Sequence, residues 1–485
     1  EYDWQDDAPL NIPFDETILY RLHVRGFTKH VSSKVKHKGT YLGIVDKIPY
    51  FKELGITMIE LMPAYDFNEI KSRPATSMKG QFSIEEPKLN YWGYTDGFIF
   101  APKVAYAYSN AIGGEVEEFK YMVRELHKNG IEISMEFFFP EQTNPKEILD
   151  CLHYWVMEYH IDGIHVNLES AVMRMVQTDN LLCTTKIFTY SFATDTDFYN
   201  SATEVRNLAN FNDDFMIATR RFIKGDEDML STIAYKVKAN PPAVAIVNYV
   251  ANHNTFTLYD SVSYDRKYNQ PNGENNRDGA VYNYSWNCGA EGDTRKRKIM
   301  DLRKKQIKNA LSLVFLSQGV PMLYAGDEMC NSQKGNNNPY CQDNEISWLD
   351  WKRLNTNQTL YQFFKKMIQF RREHPAIRNN LDPSDTGFPA VSIHTNQPWD
   401  TSINQETKCL AVCYAGKTEQ GEDLVYVALN VYWEKQRFEL PKLPDTYEWR
   451  RFVDTALDEA DEVTITEYWL QPRSVAVFIG TRKEI

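Results

Sequence analysis

Short apolar runs alternate with amphipathic helical stretches through most of this chain, and no other feature restricts its fold as much. The segments 17-TILYRLHV-24, 56-ITMIELMP-63, 131-IEISMEFFF-139, 163-GIHVNL-168, 186-KIFTYSF-192, 244-VAIVNYV-250 and 320-VPMLYAG-326 read as strands. Around them, 44-IVDKIPYFKELG-55, 115-EVEEFKYMVRELHKNG-130, 146-KEILDCLHYWVMEYH-160 and 299-IMDLRKKQIKNALSLVFLS-317 repeat apolar residues at helical spacing. A strand that is apolar on both faces must be covered on both, so such repeating units imply a parallel sheet under helices. Eight units close an α/β (β/α)8 TIM barrel, and a chain of 485 residues has room for one and a further domain. After about residue 380 the pattern becomes strands between Pro, Asp and Gly turns, as in 409-CLAVCYA-415, 424-LVYVALNVYW-433 and 474-SVAVFIG-480. The expected organisation is a barrel over residues 1–380 and a C-terminal antiparallel β-sandwich over 381–485.

A net charge of −12 argues against nucleic acid or an anionic membrane as partner, since both need a basic surface. No run reaches the length of a membrane span and no signal peptide opens the sequence, so the cytoplasm is the default location. The chain begins at Glu1, not Met, and a trimmed N-terminus is expected. Seven cysteines without paired spacing read as buried free thiols.

The strings 20-YRLHVRGFT-28, 47-KIPYFKELGITMIELMPAYDF-67 and 90-NYWGYTDGFIFAPKVAYA-107 resemble the α-amylase superfamily of glycoside hydrolases (family 13). The loop 264-YDRKYNQPNGENNRDGAVYNYSWNCGAEGDT-294 and the block 318-QGVPMLYAGDEMCNSQKGNNNPYCQDNEISWLDW-351 are similar to the isoamylase and glycogen-debranching branch. That resemblance implies retaining hydrolysis of α-1,6 branch points in glycogen or starch. The reaction uses two carboxylates about 5–5.5 Å apart, one as nucleophile and one as acid then base. A third carboxylate grips the sugar, and an Arg keeps the nucleophile ionised.

At the positions matching those residues the chain differs. The strand-four signature, Arg, a hydrophobic residue, then the nucleophilic Asp, reads here as His165, Val166 and Asn167. An amide is a poor nucleophile and has no charge to stabilise an oxocarbenium-like transition state. Strand five, which in the family ends in the acid/base Glu, places Tyr190 there, a phenol ill-suited to proton transfer near neutrality. After strand seven, His253 is kept but the third Asp is Asn254. In strand three, Glu136 and Glu141 stand for an Asp and a sugar-binding His, and Pro140 for an Asn that often serves calcium. No cofactor or metal is therefore expected.

Three functions follow as alternatives. One is a catalytically impaired family member that binds α-glucan (glycogen- or starch-like) or partners an active glucan-processing enzyme. The second is a working hydrolase with relocated acids, Glu141 and Glu169. The third is a structural protein that no longer recognises sugar. Tyr91, Trp92, Tyr284 and Trp286 are candidate glucan contacts, weighed against their more common role as packing residues. The amide-rich 335-GNNNPYCQDNE-345 reads as turn chemistry first and sugar contact second.

Overall fold

The computed structural model describes residues 2–71, 88–192, 206–404, 407–457 and 465–483. Eight parallel strands close into a barrel in chain order: β1 (Leu19–Leu22), β2 (Met58–Leu61), β3 (Glu132–Phe137), β4 (Gly163–Val166), β5 (Lys186–Thr189), β6 (Leu208–Phe211), β7 (Val244–Asn248) and β8 (Val320–Tyr324). Strand β6 is absent from the strands that periodicity picks out. It is four residues long and carries Asn210 in its middle, a weak strand former.

The register sets Arg21 opposite Glu60, Glu60 opposite Ser134, and Glu136 opposite His165. Close packing inside the barrel requires Gly163, because a Cβ there would stand 2.8 Å from Met58 Cε and 3.0 Å from Ser134 Cβ.

The helices Gly114–Lys128, Pro145–Tyr159, Asp213–Lys224 and Arg297–Leu316 belong to the outer layer. The second of these starts where the side chain of Asn144 accepts the Lys146 N–H at 2.9 Å, with Pro145 opening the first turn. The helix expected over 44–55 is two helices, Tyr41–Asp46 and Ile48–Leu54. Pro49 cannot continue the first helix, because it lacks an N–H and its ring crowds the preceding turn, so it lies in the opening turn of the second.

At the closed end of the barrel, Asp7 ties down the N-terminal segment. Its two carboxylate oxygens meet His127 Nδ1 and His160 Nδ1, each at 2.7 Å, and His127 Nε2 reaches Asp162 at 2.9 Å. Trp4 stacks on His160 with ring centres 3.8 Å apart.

Beyond the last long helix, Gln358–Glu373, the chain forms a five-stranded antiparallel sheet of β9 (Val391–His394), β10 (Cys409–Thr418), β11 (Gly421–Asn430), β13 (Tyr447–Asp454) and β15 (Ser474–Arg482). Strands β12 (Gln436–Glu439) and β14 (Glu467–Leu470) form a two-stranded second layer. Alternation divides the larger sheet's two faces. Val425, Val427 and Leu429 join the barrel's core, while Leu424, Tyr426 and Ala428 pack with Phe438 and Leu470 of the small layer. The Tyr414 hydroxyl donates to the Leu316 carbonyl and so stitches this sheet to the barrel's outer helices. All seven cysteines are free thiols; Cys183 and Cys341 are only half-buried, unlike the other five. Among the described residues, no helix is long and apolar enough to cross a membrane.

Candidate functional site at the barrel mouth

The centre of the site is a buried guanidinium. Arg21, fully buried on β1, donates to Glu60 on β2 through Nη1. Through Nη2 it reaches Glu136 on β3 at 2.5 Å, the Tyr94 hydroxyl at 2.8 Å and His253 Nδ1 at 3.1 Å. His165 Nδ1 lies 2.9 Å from Glu60, and the Tyr94 hydroxyl donates to Glu136 at 2.7 Å. A charge this deep survives only when paired, and here one cation serves two carboxylates.

Burial by itself would push the Glu136 carboxyl up, but the Arg21 guanidinium beside it holds it down at about 2. Burial also works against the Arg21 charge, yet Glu136, Tyr94 and Glu60 keep its pKa well above the ordinary value. His253 is driven well below its usual range, first by burial and then by Arg21, so it is neutral. Glu60, Glu136 and His165 offer ligand atoms all within 4.8 Å of one another, a spacing that suits a metal ion. A metal would have to displace the guanidinium that already engages both carboxylates.

Asn167 and Tyr190 come together at the ends of β4 and β5. Asn167 Oδ1 accepts the Tyr190 N–H at 3.0 Å and the Thr189 hydroxyl at 3.2 Å. The Tyr190 hydroxyl accepts from Asn252 Nδ2 at 2.8 Å, and its ring lies 5.5 Å from that of His165. Burial raises the Tyr190 phenol further above neutrality. Asn254 is exposed beside the buried His253. The positions His165, Asn167, Tyr190 and His253 therefore do converge. Glu141 and Glu169 are exposed; Glu141 follows β3 in a turn and Glu169 occupies the N-cap position of the helix Ser170–Gln177.

The aromatic candidates separate. Trp92 is buried with its ring 4.7 Å from His253, edge to face, at the mouth. Tyr91 is buried against His23, stacked at 3.8 Å. Tyr284 and Trp286 line a crevice of about 10 Å³ with Arg220 and Gln306, and Arg473 covers the Trp286 ring at 4.7 Å. These rings pack against protein. The amides of 335–345 are likewise used internally: Asn337 donates to Asn283 and Asn338 to Asp278, both at 2.8 Å, which locks this loop to the 264–294 loop.

Reading the sequence did not pick out Arg21, Glu60 or Tyr94. A signal was present, since Arg21 and Glu60 are lone ionisable residues inside apolar strands, where an unpaired charge is not tolerated.

No family model matches the chain. Among curated proteins it is similar to isoamylase SU1, chloroplastic, of Zea mays, at 30% identity over 99% of this chain and 70% of that protein. It is also similar to the glycogen operon protein GlgX homolog of Haemophilus influenzae, at 31% identity over 91% of this chain and 75% of the relative. Among solved structures, pullulanase type I from Bacillus subtilis complexed with maltose superposes with a TM-score of 0.73 at 18% identity, covering 99% of this chain and 72% of that one. The pullulanase SAP of Group B Streptococcus gives 0.71 at 15% identity, covering 97% of this chain and 71% of that one.

Proposed function

We propose, for a chain that belongs to the isoamylase and glycogen-debranching branch of the α-amylase superfamily, that it binds α-glucan without hydrolysing it and acts as partner to an active glucan-processing enzyme. One observation carries this reading. The acids buried at the barrel mouth, Glu60 and Glu136, are both held by Arg21, while Asn167, Tyr190 and Asn254 stand where the resemblance requires carboxylates.

Retaining hydrolysis needs one carboxylate free to attack the anomeric carbon and another to pass a proton to the leaving oxygen. The Asn167 amide has no charge to lend the oxocarbenium-like state, and its oxygen is already occupied by two donors. Tyr190 is too weak an acid to supply the proton. Glu136 is ionised, but its charge is spent on Arg21 and Tyr94 within the protein. Glu141 and Glu169 lie in solvent, whereas a general acid in this chemistry works from a sheltered site that keeps its proton near neutrality.

The test is reducing-end release from glycogen and pullulan at high protein concentration, alongside Glu169→Gln and Glu141→Gln. No release is expected, with retardation of the folded protein on glycogen-containing native gels. Release that survives purification and disappears in either variant would overturn the reading in favour of relocated acids.

A further inference from the structure

A second cleft, outside the barrel, has the chemistry that the barrel-mouth aromatics lack. It lies between the helix Leu230–Lys236 and β9, an edge strand of the five-stranded sheet, and is an open groove of about 640 Å³. That size is in the range of small-ligand sites, which favour junctions between structural units. Its walls carry two exposed rings, Tyr235 from the helix and Trp399 from the loop after β9, at 67% and 47% exposure. Both rings line the same cleft, where a flat ligand face could cover them.

Trp399 is held in place. Its backbone is left-handed, with φ of +67°, a conformation costly for a bulky side chain. Its N–H donates to His394 Nδ1 at 2.6 Å. Burial lowers the pKa of His394 to about 4, so the ring is neutral and can accept that bond. Phe388 meets the indole edge to face at 4.9 Å and His394 at 4.8 Å. Thr395 and Asp400 close the loop with a 2.7 Å backbone bond and a 2.9 Å side-chain bond. The indole is thus fixed at its edge and remains half open to solvent.

The rest of the lining indicates the ligand. Ser231, Ser392 and Thr401 supply hydroxyls, Lys238 is the one charged residue in the walls among the described residues, and no carboxylate faces the cleft there. On a chain of net charge −12, a wall without acids favours neither a basic peptide nor a metal ion, and a single lysine is too little for a polyanion. Flat rings that stack with little entropy cost, flanked by hydroxyl donors and acceptors, match neutral polyhydroxylated rings.

We propose that this cleft is a second α-glucan site, with Trp399 and Tyr235 as the surfaces on which glucosyl rings stack. The proposal rests on the glucan-binding reading above but places binding away from the barrel mouth.

The test is affinity electrophoresis of the full chain in glycogen, together with maltoheptaose titration followed by tryptophan fluorescence. Trp399→Ala and Tyr235→Ala are each expected to weaken binding about fivefold to tenfold, the loss of one stacked ring, and Trp399→Phe to retain most of it. Tyr235→Ala, at a largely exposed ring, is expected to leave the unfolding midpoint unchanged, whereas Trp399→Ala also gives up packing against Phe388 and His394, which Trp399→Phe controls for. Wild-type retardation that both alanine variants share in full would overturn this site and leave glucan binding elsewhere intact. A wild-type protein that neither glycogen nor maltoheptaose engages would overturn both.

Discussion

Arg21 decides the character of the barrel mouth. Among the described residues it is the one cation paired with both buried acids, Glu60 and Glu136, so removing it strands two carboxylates. Arg21→Met is expected to cost about 3–5 kcal/mol in urea unfolding, the range for breaking a buried pair, and Arg21→Met with Glu60→Gln to recover part of it. A single variant as stable as wild type would show that the network is not what holds the mouth together. At this scale the sequence was half legible. Asn167 and Asn254 could be placed because Asp162 and Gly163 precede the one and His253 the other, whereas the stretch before Tyr190 offers no such anchor. The partners of Arg21 could not be placed, because Glu60 and Glu136 lie 39 and 115 residues away and only barrel closure makes them neighbours.

Among the elements, the strands with long apolar runs were plain from periodicity, and β6 was not. Four residues around Asn210 carry too little local preference, and their pairing with β5 and β7 supplies what propensity does not. Strand β4 shows the opposite constraint, with its glycine set by what lies across the barrel. Gly163→Ala is expected to destabilise by about 1–3 kcal/mol through overpacking against Met58 and Ser134, read as a shift in denaturation midpoint at unchanged slope. An unchanged midpoint would mean the barrel interior yields more easily than its contacts imply. The contacts of the aromatic loops were hidden for a related reason. A ring in a loop looks available in sequence, yet Tyr91 finds His23, and Trp286 finds Arg473, only once the chain has folded.

For the whole molecule, the Asp7–His127–Asp162 clasp ties the N-terminal segment to the barrel. Burial disfavours the His127 charge, but hydrogen bonding and attraction from Asp162 and Asp7 outweigh it and raise the pKa from 6.5 to about 9. A folded-state pKa above the unfolded one stabilises fully below pH 6.5 and is lost as pH rises through about 9. Unfolding free energy is therefore expected to fall by on the order of 3 kcal/mol between pH 6 and pH 9.5, and by much less in His127→Gln. Equal pH dependence in the two proteins would exclude the clasp as its source.

The sequence by itself determined the barrel class, the antiparallel C-terminal region and the family, because local periodicity and short motifs carry all of these. Only the tertiary structure decided that a cation occupies the barrel mouth, that Tyr91 stacks on His23 and Arg473 covers Trp286, and that Trp399 and Tyr235 face one cleft. Those facts depend on side chains far apart in the chain meeting in space, where burial and charge pairing, not local preference, fix the outcome.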